Sequence, residues 1–182
     1  MDDNYYEIVS FIYKHKHFFC IWCNPEEGEP YFEKRGTSLL FESDEECIKS
    51  FLYKNNYKYE HVSQYNFDEN DYSDCNDYLN KWNIIDDLSK TLEIDFIGNL
   101  DEYTDLYSKF VFGSNIPALN TSGKEYIPVF DEEEKSQIAN VTNDMIRICS
   151  HPRYRSPNHC CRWCCHPSSR QCWYLNRCCY LS

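Results

Sequence analysis

Cysteine, histidine and carboxylate are the side chains whose spacing in this chain invites chemistry. Cys20-Ile21-Trp22-Cys23 has the C-x2-C spacing used by metal sites and redox dithiols. A zinc knuckle needs a second pair, and before residue 150 the sequence offers only Cys47, Cys75 and Cys149, each alone. A redox dithiol sits at a helix start, where the dipole lowers the thiol pKa; this one lies inside an aromatic, strand-like run. Buried free cysteine is common, so a core strand is expected. His15 and His17 flank Lys16 at alternate positions and can share one side of a strand, but no carboxylate or thiolate accompanies them, and a surface hairpin is expected. The run His159-Cys160-Cys161-Arg162-Trp163-Cys164-Cys165-His166, followed by Cys172, Cys178 and Cys179, has zinc-hook spacing at Cys161 and Cys164. Such a cluster would take up a metal if offered one; no metal or other cofactor is assigned to it as a resident.

Catalytic signatures are missing. The sequence has no G-x-S-x-G, no H-E-x-x-H, no phosphate-cradling glycine loop and no dinucleotide fingerprint. Only 5 glycines occur in 182 residues, which leaves few for a loop that must approach a phosphate closely. Paired carboxylates abound, but hydrolysis needs two in a sheltered cleft with separated pKa values, and a sequence does not display that. The expectation is a protein that is not an enzyme.

The carboxylates carry a different message. Lys and Arg total 18 against 30 Asp and Glu, a net charge of -12. Five arginines (Arg153, Arg155, Arg162, Arg170 and Arg177) and no acid fall in residues 151–182, so the 13 basic and 30 acidic residues before them leave -17 on the body. A body so charged repels phosphates and steers basic partners, which argues against direct binding of nucleic acid. Between Asn66 and Asp105 twelve acids face two bases, Lys81 and Lys90, for a local net of -10. Helix-dipole complementarity and solubility account for some of these acids but not for the scarcity of lysine. The expected contact surface is Asp68, Glu69, Asp71, Asp74, Asp77, Asp101, Glu102 and Asp105. Asp71, Asp74 and Asp77, three residues apart, are expected to line one flank at a helix entrance.

Composition also divides the chain. The body, residues 1–150, is rich in aromatic residues, Ile, Asn and acids. The tail, 151–182, is Cys- and Arg-rich and lacks Ala, Gly, Val, Asp and Glu, the five residue types whose codons begin with G. That profile reads as a frameshifted, read-through or appended segment outside the fold, with a genuine basic extension as the alternative. No window reaches the roughly 20 apolar residues of a membrane span. Met1-Asp2-Asp3-Asn4 lacks the basic n-region of a signal peptide. A cytoplasmic, monomeric protein without disulfides is expected.

The elements that must position these groups are mixed. Tyr5 to Tyr13 and His17 to Cys23 suit strands, a turn follows at Pro25 to Gly28, and short strands are expected near Tyr31-Phe32 and ending at Leu39-Leu40-Phe41. Ser43-x-x-Glu46 has capping-box spacing and opens a helix through Ile48 and Leu52, with a strand after it over Tyr57 to Val62. Tyr78, Leu79, Trp82, Ile85, Leu88 and Leu92 make one apolar face of a helix over about 74–92. Leu100, Tyr103, Leu106, Tyr107, Phe110 and Val111 repeat the pattern, with Gly113 placed as a C-terminal cap. Asp131-x-x-Glu134 opens a last helix carrying Ile138, Val141, Met145 and Cys149. Strands first and helices after predict one α+β domain, N-terminal antiparallel strands with helices packed on the sheet.

Leu79-Asn80-Lys81-Trp82-Asn83-Ile84-Ile85-Asp86-Asp87-Leu88, then Tyr107 to Pro117 (YSKFVFGSNIP), then Tyr126-Ile127-Pro128 before an acidic helix, resemble immunity proteins of bacterial polymorphic-toxin and contact-dependent growth inhibition systems. The likeness covers about residues 75–148, is looser over the N-terminal half and does not extend to the tail. It implies a protein that binds the toxin domain of its own system, commonly a nuclease, and blocks its active site without catalytic residues of its own. The expected partner is therefore a cognate basic toxin domain, met by an acidic, aromatic surface. A DNA-mimic inhibitor of a nucleic-acid-binding protein has the same electrostatics, and an enzyme acting on a cationic substrate is a third possibility.

Overall fold

The computed structural model describes residues 4–69, 71–120 and 124–150; the expectations for the Cys-rich tail lie outside the described residues. Strands β1 (Tyr5–Tyr13) and β2 (Lys16–Asn24) form an antiparallel hairpin in continuous register from Tyr5 opposite Asn24 to Tyr13 opposite Lys16. Its two-residue turn, Lys14-His15, has positive φ at both positions (51° and 57°), as a turn matched to strand twist requires. His15 therefore belongs to the turn, and only His17 to a strand.

Two short strands share the outer edge of β2: β3 (Tyr31–Phe32) opposite Trp22-Cys23 and β6 (Phe41–Glu42) opposite Phe19-Cys20. Between them β4 (Lys34–Arg35) and β5 (Ser38–Leu39) make a small hairpin, turned at Gly36 with φ 66°. Helix α1 (Glu45–Lys54) follows β6 and leads to β7 (Tyr59–Asn66), which pairs parallel with β1. The antiparallel N-terminal strands thus gain a parallel edge, a crossover arrangement in which α1 covers one face. The strand starts at Tyr59 and not at Tyr57, because Tyr57 leaves the sheet to stack on Tyr6 with ring centroids 4.3 Å apart. The α1 cap also sits one residue later than expected: Asp44, not Ser43, accepts from the Glu46 backbone N–H.

β1 reads as a nearly unbroken apolar run because both faces are covered. Tyr6 and Ile8, with Phe19, Ile21 and Cys23 of β2, bury against Ile48 and Leu52 of α1. Val9, Phe11 and Cys20 face a larger core built by α2 (Cys75–Leu92), α3 (Thr104–Gly113) and α4 (Glu132–Cys149). Cys20 and Cys23, three apart on a strand, therefore bury on opposite faces, and their C-x2-C spacing makes no shared site.

Trp82 is the aromatic hub of the helical layer. It is 2% exposed, with Tyr78, Phe96, Tyr107 and Phe110 around it at centroid distances of 5.4 to 6.5 Å. The stretch expected to open a helix at Leu100 instead makes two 3-10 turns, Ile97–Asn99 and Asp101–Tyr103, and α3 begins at Thr104. Gly113 is the last residue of α3 and not its left-handed cap; Asn115 takes the positive φ, 53°. What Gly113 supplies is close approach, since a Cβ there would stand 2.6 Å from Cys75 Sγ. Asp131 and Glu134 form the expected reciprocal capping box at the start of α4. No helix among the described residues is long and apolar enough to cross a membrane.

Candidate interaction surface

The three helices fix one end of the molecule. α2 and α4 run parallel, since Tyr78 Oη donates to the Ile138 carbonyl near their starts while Ile97 N–H donates to Asp144 near their ends. α3 runs antiparallel to α2, with Tyr107 Oη donating to Asn83 at 2.9 Å and Gly113 meeting Cys75. The N-termini of α2 and α4, the C-terminus of α3 and the β1–β2 turn consequently share one pole.

Five of the eight expected contact carboxylates lie there, and four of those also hold local structure. Asp68 accepts the backbone N–H groups of Lys14 (2.6 Å) and His15 (2.7 Å), which fixes the hairpin turn and, with those bonds foremost, holds its carboxyl below the usual range. Asp71 accepts from Ser73 and is likewise lowered, chiefly by its bonds to that residue. Asp74 caps α2 through the Asn76 and Asp77 N–H groups. Asp77 holds Lys81 Nζ at 2.7 Å. The Lys81 side chain is 8% exposed and that of Asp77 44%, so the ammonium is buried and its partner half open to water. Asp71 precedes the helix, Asp74 is its cap and Asp77 lies in its first turn, so the three-residue step follows a chain entering a helix and not a stripe along one flank. Glu69 is exposed.

The other three, Asp101, Glu102 and Asp105, are exposed at the start of α3. Because α3 runs back along α2, they stand at the opposite end, on the order of 12 Å or more along the helix axis. The structure thus divides the expected acidic surface in two.

Sequence reasoning missed what fills the centre of the pole. Tyr72 packs edge-on against Phe130 at 5.8 Å, bringing Asp71 and Asp74 beside Asp131, Glu132 and Glu133 at the start of α4. The segment leading into Phe130 from the end of α3 carries Phe112, Ile116, Leu119, Tyr126, Ile127 and Val129, all exposed; Ile127 is 73% and Val129 82% accessible. Asn115 ties its two arms together: its side chain accepts from the Tyr126 N–H at 2.8 Å and donates to the Tyr126 carbonyl at 3.0 Å. Asn120 donates to Asn115 Oδ1 and to the Lys124 carbonyl. A small set of amides therefore holds an apolar surface open to water between two acidic helix starts. The available signal was negative: residues 112–129 contain apolar side chains without helix or strand period, set among Pro117, Pro128 and Asn residues.

Cations of this pole include Lys14 and Lys16, exposed at the β1–β2 turn, and lysines of the helices that are paired with its own acids. Lys109 Nζ is committed to Glu134 at 2.6 Å, Lys135 to Glu132 at 2.7 Å and Lys81 to Asp77. Among the described residues no group of three or more His, Cys, Asp or Glu could hold a metal ion. No protein family, curated protein or solved structure matches the chain.

Proposed function

We propose that the protein binds a basic macromolecular partner through this pole, as an immunity protein that neutralises a cognate toxin domain, a nuclease with a cationic cleft. The observation that carries the reading is the exposure of Ile127 and Val129, with Phe112, Ile116 and Leu119 nearby, inside a frame of carboxylates. Monomeric proteins seldom leave such a cluster in water, and an apolar centre with a charged rim is how protein interfaces are built. The carboxylates accelerate encounter and select the sign of the partner, and the apolar side chains slow its departure. Asp68, Glu69, Asp71, Asp74 and Asp77 are close enough to contact the partner, joined by Asp131, Glu132 and Glu133; Asp101, Glu102 and Asp105 add to the long-range field.

The resemblance over residues 75–148 supplies the biological setting, a toxin held in check in the cytoplasm of the producing cell. A DNA-mimic inhibitor uses the same charge but gains nothing from Ile127 and Val129 at its centre. Co-expression with whatever toxin domain the neighbouring gene is found to encode is the test. Growth restored by this chain, and lost on Ile127→Asp, supports the reading. Growth that stays arrested beside a folded wild-type chain contradicts it.

A further inference from the structure

The main sheet ends differently at its two edges. On the β2 side it is closed by β3 and β6, two residues each and too short to template another strand. On the other side stands β7, 8 residues long, which among the described residues pairs only with β1. A bulge sets Glu60 and His61 against Glu7, and from Val62 opposite Ile8 to Asn66 opposite Ile12 the register is regular. Phe67 N–H donates to the Ile12 carbonyl at 2.9 Å. Peptide groups alternate along a strand, so Tyr65 and Ser63 also turn theirs to β1, while Val62, Gln64 and Asn66 turn theirs outward.

Edge strands of natural proteins are blunted by lysine, proline, an inward charge or a bulge, and residues 62–66 have none of these. Val62 is 40% exposed and Gln64 is exposed, so α1 leaves this margin of the sheet open. Charge decides what can lie against it. Residues 57–66 hold one base, Lys58, and one acid, Glu60, and are neutral, against -17 for the whole body. A basic partner is drawn to the acidic pole and gains nothing at this edge. A second copy does fit. Antiparallel about a two-fold axis at Gln64, Val62 faces Asn66 of the second copy, and Gln64 faces Gln64. Each outward peptide group then meets an outward peptide group, and within the paired stretch no two charges stand opposite.

We propose that β7 is a homodimerisation edge, at which two copies pair residues 62–66 antiparallel and extend one sheet through both molecules. β7 runs toward the acidic pole, as β1 does, so the two-fold axis sends the two poles to opposite ends and leaves both open. The inference goes beyond the proposed toxin contact and does not depend on it. Repulsion between two bodies of -17 opposes pairing. Salt screens that repulsion beyond a Debye length of about 8 Å at physiological ionic strength, so dimers should form more readily as salt rises, the reverse of toxin capture. The test is sedimentation of the full chain under reducing conditions, from about 10 μM to about 1 mM and at several salt concentrations. A reversible monomer–dimer equilibrium that strengthens with salt is expected. Gln64→Lys and Gln64→Glu change an exposed side chain and no bond to β1, so both should keep the circular dichroism of wild type. Each alone should weaken association about fivefold, by setting like charges opposite at the axis. An equal mixture of the two should recover wild-type association or better, because unlike charges then meet. Ile127→Ser, on the exposed apolar segment, should leave association unchanged. A chain that stays monomeric throughout, association indifferent to charge at Gln64, a mixture no better than either variant, or loss of association on Ile127→Ser overturns the proposal.

Discussion

Replacing Gly113 by alanine separates two roles for a glycine at the end of α3. Its backbone is ordinary helix, so alanine should gain about 1 kcal/mol of intrinsic helix stability. Against that, the new methyl carbon would lie 2.6 Å from Cys75 Sγ, 3.1 Å from Cys75 Cβ and 3.0 Å from Pro128 Cγ. Cys75 is buried at the start of α2, so its sulfur has little room to retreat. Overpacking of this kind costs about 1 to 3 kcal/mol. The net expectation is a loss of about 1 kcal/mol, a fall in Tm of about 3 °C for a protein of this size. The assay is a double-mutant cycle by thermal and urea unfolding, using Cys75→Ala as the second arm. Removing the sulfur should turn Gly113→Ala neutral or stabilising, a coupling of about 1 to 2 kcal/mol. Equal destabilisation in both backgrounds would mean that Gly113 serves the backbone, and the close-contact account of the α2–α3 junction would be wrong.

Trp82→Ala should destabilise by about 3 to 5 kcal/mol, read by urea unfolding, because it empties the centre of the helical layer. Asp77→Asn should cost about 1 to 3 kcal/mol by stranding the buried Lys81 ammonium, less than a fully buried pair because Asp77 is half exposed; Lys81→Met added to it should recover most of the loss. Asp74→Asn should fall within a few tenths of a kcal/mol of wild type, since asparagine caps a helix about as well as aspartate. Asp68 has a lowered folded-state pKa, so its contribution is complete above the ordinary aspartate value of about 3.9 and is lost as pH falls through the lower folded value. Protection of the Lys14 and His15 amides, relative to their intrinsic exchange at each pH, should fall in that acid window, and Asp68→Asn should remove that fall.

Periodicity carried most of the fold. The α2 stripe from Tyr78 to Leu92 is buried as its three- and four-residue steps require, and the Asp131–Glu134 box was readable because both partners of a capping box lie within one turn. Local signals failed where tertiary contacts chose between neighbours: Asp44 over Ser43 as a cap, Tyr57 drawn out of its strand by Tyr6, and Gly113 retained for Cys75 and not for a positive φ. The parallel pairing of β7 with β1 joins residues more than fifty positions apart and leaves no local trace. The candidate surface was half legible. Counting charge found the acids, but a count cannot see that α3 folds back and carries Asp101, Glu102 and Asp105 to the other end. Nor does it show that the acidic start of α4 joins Asp71 and Asp74 around an exposed apolar segment.

The most direct test of the proposed toxin contact is a binding-kinetic series with whatever toxin domain the neighbouring gene is found to encode, at several salt concentrations. Exposed charges act over a Debye length of about 8 Å at physiological ionic strength, so added salt should slow association far more than it hastens dissociation. Ile127→Ser with Val129→Ser should leave association nearly unchanged and speed dissociation, because apolar anchors act after encounter. Asp71→Asn should flatten the salt dependence only slightly, as many carboxylates share the field. An association rate indifferent to salt, together with a dissociation rate indifferent to the loss of Ile127 and Val129, would contradict a docking surface at this pole.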